Sequence, residues 1–352
     1  MKKILIIQNK RIGDVLIASI IPNNLKKIYP QSHITFFCYG YAAPVLYNNP
    51  NVDEIITVSN SELKKFKKLV EISKQFRNAN FDLIVDPYVK TQSQFISLFS
   101  GCKERIAFKK KVLPFSYTKQ VPFLKKRVSD YGKAIDDRLN LLQSINSETN
   151  LDPYPKLFLT ENEKEEGKNI LDYHDVDASR PTIMLGVLGS NPTKSLPLSY
   201  VSKIIDELTK YDINILFNYI PAQKPLVDEI YNGVKNKDNI YPDVIGKDIR
   251  EFIKIMNACD LLIANEGGTV HIAKALQKRT FTIYSPYVDK ANWATFEDND
   301  RHLSVHLKEL KPELFVDKTG KDIKNTSETL YQEFTPELIS PTMHVFIKNH
   351  LS

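Results

Sequence analysis

The chain has 352 residues, 42% of them hydrophobic, and a net charge of +6 from 48 basic and 42 acidic residues. That length exceeds what one ordinary core organises and points to two domains, and the composition excludes a disordered chain or a membrane-spanning one. Three cysteines, Cys38, Cys102 and Cys259, show neither metal nor redox spacing and are expected to be reduced thiols of a cytoplasmic protein.

In MKKILIIQNKR the apolar run is too brief for a signal-peptide core, so KILIIQ (3–8) is expected as a buried first strand. VLIASIIPNNLKKIY follows as a helix that Pro22 breaks or kinks. ITFFCY (34–39) and EIITV (54–58) read as strands, Leu63 to Phe76 as a helix, and DLIVDPY (82–88) as a strand. Pro153 and Pro155 stiffen an extended stretch, after which Thr160 and Glu163 form a capping box for a new helix. The polar DYHDVDASRP (172–181) is the expected linker. The pattern then restarts with TIMLGVL (182–188), a helix from about Ser199, INILFNY (213–219), a helix over DIREFIKIMNA (248–258), LLIAN (261–265) and TFTIYS (280–285). The tail ELISPTMHVFIKNHLS (337–352) is weakly helical.

Strands alternating with helices imply parallel sheets with right-handed crossovers, hence an α/β fold. The expected division is a first domain over 1–175, a second over 176–335, and a tail over 336–352. Ligands of such sheets bind beyond the carboxyl ends of the strands. Basic runs at LKKFKK (63–68), KKK (109–111) and LKKR (124–127) have two readings: solvated surface, or a face for an anionic substrate or the inner leaflet of a membrane. Zinc-finger spacing, RNA-binding aromatic motifs and a long basic helix are missing, so nucleic acid is not an expected partner.

Two stretches carry the chemistry. In ANEGGTVHIAKAL (264–276) a strand runs into a helix through Glu266, Gly267 and Gly268. The helix start offers unpaired N–H groups and a positive dipole end for a phosphate, Glu266 can accept hydrogen bonds from sugar hydroxyls, and His271 can donate to a phosphate or pin the loop. The competing reading is a tight turn with Glu266 stabilising the helix, and no dinucleotide fingerprint is present. In QNKRIGDVLIASIIPNNLKKIYP (8–30), Gly13 permits a sharp turn and Asp14 falls at the helix start, either as an N-cap or as a carboxylate acting as general base.

Together these stretches resemble glycosyltransferase family 9, the ADP-heptose:lipopolysaccharide heptosyltransferases and their relatives. A third motif, GSNPTKSLP (189–197), is similar to that family's lysine loop, with Lys194 and Pro197 in place. The resemblance implies a GT-B fold of two Rossmann-like domains facing a central cleft, with the tail over 336–352 crossing back onto the first, and inverting, metal-independent transfer from a nucleotide-sugar, ADP-linked by preference, to a glycolipid or glycan acceptor. It implies Asp14 as the base and a donor-binding set of Gly13, Ser190, Lys194, Lys247, Glu266, Gly267, Gly268, Thr269 and His271. No cofactor beyond the donor is implied. Glu266 stands where the heptosyltransferases carry aspartate, Thr269 where proline is usual, and Ser195-Leu196 where a tryptophan step is usual. The donor sugar therefore stays open, with heptose favoured and another nucleotide-sugar, or a non-catalytic binding protein on the same fold, as alternatives. Asp298-Asn299-Asp300 fits a D-x-D metal signature but reads better as an acidic surface turn. Tyr219, Pro221 and Trp293 read as packing or as cleft lining.

Overall fold

A computed structural model describes residues 1–110 and 113–351, so Lys111 of the second basic run and Ser352 of the tail lie outside the described residues. The chain forms two units, Met1–Phe158 with Ala291–Thr295, and Leu159–Lys290 with Phe296–Ser352.

Unit 1 runs β1 (Lys3–Gln8), α1 (Ile12–Ala18), α2 (Ile20–Ile28), β2 (His33–Tyr39), β3 (Glu54–Val58), α3 (Asn60–Leu63), α4 (Phe66–Ala79), β4 (Leu83–Asp86), α5 (Thr91–Phe99), β5 (Glu104–Phe108), β6 (Lys119–Val121) and α6 (Lys133–Gln143). Its six strands lie in the order β3-β2-β1-β4-β5-β6, and every neighbouring pair is parallel. Ile4, Leu5, Ile6 and Ile7 are fully buried in the central strand, as expected where helices cover both faces of a parallel sheet. The helix after β1 breaks at Ser19, four residues beyond which Asn23 resumes bonding to it. Pro22 lacks an N–H and its ring crowds the carbonyl four residues back, so the first helix ends at Ala18. The single helix expected over 63–76 is two, α3 and α4, because Ser59 and Glu62 close their own capping box (3.1 and 2.9 Å) and start a separate turn.

Unit 2 runs α7 (Glu161–Tyr173), β7 (Thr182–Gly186), α8 (Leu198–Leu208), β8 (Asn214–Asn218), α9 (Lys224–Gly233), β9 (Ile240–Tyr241), α10 (Ile249–Ala258), β10 (Leu261–Asn265), α11 (Gly268–Ala275), β11 (Arg279–Tyr284), β12 (His302–His306), α13 (Leu307–Leu310), α14 (Gly320–Asn325), α15 (Ser327–Gln332) and α16 (Pro336–Leu351), while α12 (Lys290–Trp293), between β11 and β12 in the chain, falls almost wholly in the segment that belongs to unit 1. Its six parallel strands lie in the order β12-β11-β10-β7-β8-β9, the same winding as unit 1. In each sheet the direction of winding reverses between the first strand and the fourth, which makes a topological switch point.

The division between units differs from the expected 175/176. Asn24 holds the extended stretch to unit 1 by exchanging hydrogen bonds with Asp152, 2.7 Å from its N–H and 2.8 Å to its carbonyl. Beyond Phe158 the Thr160–Glu163 capping box forms as expected, but the helix it starts packs on unit 2. Arg250 grips Glu163 with two nitrogens at 2.7 Å each, and Lys254 pairs with Glu166. A Cβ at Gly167 would come within 2.3 Å of the Lys254 carbonyl oxygen, so only glycine lets α7 approach α10 this closely. DYHDVDASRP is thus a connection inside unit 2. The tail does not cross back either: Ile339, Met343, Phe346 and Ile347 form one stripe of α16 and lie in the core of unit 2. Burying each contributes roughly 2 kcal/mol, which fixes the helix to the unit that supplies the core.

Candidate active site

The switch point of unit 1 carries Asp14. Only three residues separate β1 from α1, and Asp14 lies in the first turn of that helix beside the buried Gly13. The N-cap is Arg11, without a side-chain cap, so the N-cap reading of Asp14 is replaced by a partly buried carboxylate that pairs with Lys10 at 2.8 Å. Its side chain retains 9% exposure and lines a cavity of about 380 Å³. The cavity has an excess of positive charge: Lys10, Lys90, Lys110, Lys133 and Arg138 against Asp14 and Asp137. Burial and the neighbouring Lys90 and Lys10 push the Lys110 ammonium below its usual range, while the Asp86 carboxylate works in the opposite direction. Burial does the same to the Arg138 guanidinium, offset by Asp14 and Asp137. Arg138 donates to the Ala134 carbonyl at 2.7 Å, and its Nε is buried without a partner. A buried cation left partly unsatisfied is costly, so this floor favours an anionic ligand. Trp293 belongs to the segment that packs with unit 1 and stands 5.7 Å from the Lys10 ammonium at the rim.

The switch point of unit 2 carries Lys194 and Glu266. Lys194 comes from the long loop after β7, Glu266 from the end of β10, and the two side chains form an ion pair with 16% and 7% exposure. The loop is held by a dense set of bonds. Gly189 N–H donates to Ser195 Oγ (2.9 Å), Ser195 Oγ to the Asn191 carbonyl (3.1 Å), and both Ser285 and Ser327 to the Thr193 carbonyl (2.9 and 3.0 Å). A Cβ at Gly189 would fall 2.0 Å from the Lys194 carbonyl oxygen, so the loop can double back only over a glycine. Tyr287 places its ring 5.8 Å from the Lys194 ammonium.

Gly267 is extended rather than left-handed (φ 164°, ψ −170°). What matters is space: nothing stands within 4 Å of a Cβ at Gly267. Gly268, Thr269 and His271 occupy the first turn of α11, whose first residue is Gly268. Ser190 is exposed in the lysine loop. Lys247 stays apart from this group in its contacts: its side chain is 88% exposed and reaches Glu251 at 3.6 Å. Gly13, counted with the donor-binding set, lies in unit 1, whereas the rest of that set lies in unit 2.

The D-x-D stretch is a turn, with Asp298 Oδ1 accepting from the N–H groups of Asp300 and His302 at 3.0 and 2.9 Å. Among the described residues no group of three or more His, Cys, Asp or Glu is placed to hold a metal ion. Tyr219 is a core residue of unit 2. The cavity cations Lys90, Lys133 and Arg138 were not signalled by any motif, because they come from two separate segments, the start of α5 and the helix α6, that only the fold brings to the Asp14 turn.

Two sheets of this winding, each with its polar groups at the switch point, define a two-domain Rossmann-like scaffold of the GT-B kind. The pattern of glycosyltransferase family 9 (heptosyltransferase) matches residues 69–320, and the chain belongs to that family of enzymes. It is 20% identical over 308 residues to a lipopolysaccharide core heptosyltransferase of Haemophilus influenzae, covering 87% of this chain and 85% of that protein. The fold matches a family 9 glycosyl transferase of Veillonella parvula (TM-score 0.77, 17% identity, 94% of this chain and 98% of that one). It also matches the ADP-heptose lipopolysaccharide heptosyltransferase II of Escherichia coli (TM-score 0.70, 16% identity, 95% and 99%).

Proposed function

We propose that this protein transfers a sugar, heptose by preference, from a nucleoside-diphosphate donor to a hydroxyl of an anionic lipopolysaccharide-core or related surface glycan. The observation that carries the reading is the Lys194–Glu266 pair, set at the switch point of unit 2 beside the open N-terminus of α11. As the glycosidic bond to the donor breaks, negative charge grows on the leaving diphosphate. Lys194 and the first N–H groups of α11 meet that charge where it develops. Glu266 serves as the partner that keeps Lys194 in place before the donor arrives, and as an acceptor for hydroxyls of the donor sugar afterwards.

On unit 1, Asp14 takes the proton of the attacking acceptor hydroxyl, and the cationic cavity holds the acceptor's charged groups. Direct attack with one base and one stabilised leaving group inverts the anomeric centre, and the lysine takes the part that a metal ion plays in other transferases. Lipopolysaccharide is lipid-anchored, so the protein would act at the cytoplasmic face of a membrane. Among the described residues no helix is long and apolar enough to cross one.

The test is a calorimetric titration with ADP, UDP, GDP and dTDP without metal, repeated with Lys194→Ala. A preference for ADP that the variant loses supports an ADP-heptose-like donor. Preference for another nucleotide keeps the transferase and removes heptose. Binding of none of the four removes the donor site assigned to residues 266–271.

A further inference from the structure

The loop 122–128, PFLKKRV, connects β6 towards α6 at the edge of the Asp14 cavity. Both of its ends are fastened to α6. Leu124 N–H donates to Asp137 Oδ1 at 2.8 Å; Val128 N–H and Ser129 N–H donate to Asp136 Oδ2 at 2.8 and 3.2 Å, and the Ser129 hydroxyl bonds Asp136 Oδ1. Asp136 and Asp137 are buried, so the anchors are firm.

Fastening the ends fixes what the tip presents. Lys125, Lys126 and Arg127 are all exposed, and among the described residues none of them pairs with an acid within 4 Å. They are flanked by two apolar side chains left in solvent, Phe123 at 41% and Val128 at 69% exposure. Phe123 also stacks on Phe108 at 4.3 Å, between the ammoniums of Lys133 and Lys110 at 5.6 and 5.9 Å, and it lines the cavity. One loop therefore carries both the cavity wall and an outward cluster of cations with apolar shoulders.

We infer that this loop docks the protein on an anionic lipid bilayer at the mouth of the Asp14 cavity. The inference rests on the reading that the acceptor is lipid-anchored. Headgroup phosphates complement the three unpaired cations, and the shoulders of Phe123 and Val128 enter the boundary between headgroups and acyl chains. Each basic residue near such a surface strengthens binding about fivefold. A second surface of unit 1 also joins aromatics to lysines: Phe66, Phe95 and Phe99 in a chain of rings, beside the exposed Lys64, Lys65 and Lys67. None of these six residues lines the cavity, so that surface serves as the control.

The experiment is co-sedimentation of the full chain with vesicles of phosphatidylcholine, with and without phosphatidylglycerol. Binding to the anionic vesicles alone is expected. The Lys125→Gln/Lys126→Gln/Arg127→Gln variant should weaken it by about a hundredfold. Its nucleotide affinity and its transfer rate onto a water-soluble, delipidated acceptor should be those of the parent. No vesicle binding, equal binding to neutral vesicles, or a larger loss in Lys64→Gln/Lys65→Gln/Lys67→Gln would overturn the inference. A rise in KM for the soluble acceptor matching the vesicle loss would also overturn it, because the tip would then belong to the acceptor site. Failure of the parent to bind any nucleotide would remove the transferase reading while leaving the vesicle result standing.

Discussion

The two units share one winding and use it differently. In both, the groups of interest follow the first strand and the fourth, where the sheet reverses direction. Unit 1 has three residues between β1 and α1, which sets Asp14 in a helix turn, rigid and nearly buried. Unit 2 has the eleven residues 187–197 between β7 and α8, and that length lets Lys194 reach the end of β10 and meet Glu266. The result is a carboxylate surrounded by excess cations in one unit and a neutralised pair at a helix start in the other. The fold fixes where ligands can bind; loop length and a few side chains decide what they are.

The sharpest way to break that contrast is to neutralise one switch point and ask whether the other notices. Asp14→Asn should lower kcat by about 10²- to 10⁴-fold, the range for loss of a general base, with nucleotide affinity unchanged by calorimetry. A parallel loss of nucleotide binding would mean that Asp14 also bears on the donor. Lys194→Ala should weaken nucleotide diphosphate binding by about 10- to 100-fold, as expected for one charge-assisted contact, and leave acceptor KM alone. Arg138→Gln should raise acceptor KM about tenfold with little change in kcat. A kcat-only effect would assign Arg138 to holding Asp14 rather than to the acceptor.

Much of this contrast was legible in the sequence, but unevenly. The apolar runs at 3–8 and 261–265 coincide with central strands, because a doubly covered parallel strand must be apolar throughout, and EIITV at 54–58 is the half-exposed edge strand β3. β5 and β6 gave no comparable signal: ERIAF opens on two charged residues, and KQV is three residues at the sheet edge. The unit boundary falls after Phe158 and not in the polar stretch that composition marks, because the division follows the Asn24–Asp152 bonds and the close fit at Gly167. Lys194 and Glu266 were legible as two motifs, yet their pairing across 72 residues of chain was not. Arg138 and Lys133 sit in an ordinary-looking helix and acquire meaning only through the cavity they border.

The smallest expected effect separates the units by acid stability. His302 in β12 is half-buried, with Thr280 Oγ1 3.1 Å from its Nδ1. Burial first, then Lys274 and Arg301, lower its pKa from 6.5 to about 3, with Asp298 opposing. The unfolded chain therefore takes up a proton below pH 6.5 that the folded unit refuses, so the contribution of His302 is present above that pH and is lost as pH falls. The slope approaches about 1.4 kcal/mol per pH unit at its steepest. Glu163, held at about 2 chiefly by Arg250, adds a loss of the same sign below its ordinary value of 4.5. In unit 1 the buried Asp86 has the opposite sign. Burial pushes its carboxyl up, against the hydrogen bonds from Tyr117 and the Val89 and Tyr88 amides, so acid relieves rather than adds a cost there. Amide exchange followed between pH 7 and pH 5 should show protection falling in β11 and β12 before it falls in β1 and β4. In His302→Gln that difference should shrink; if exchange in both units quickens equally, in parent and variant alike, burial of His302 does not set the acid response.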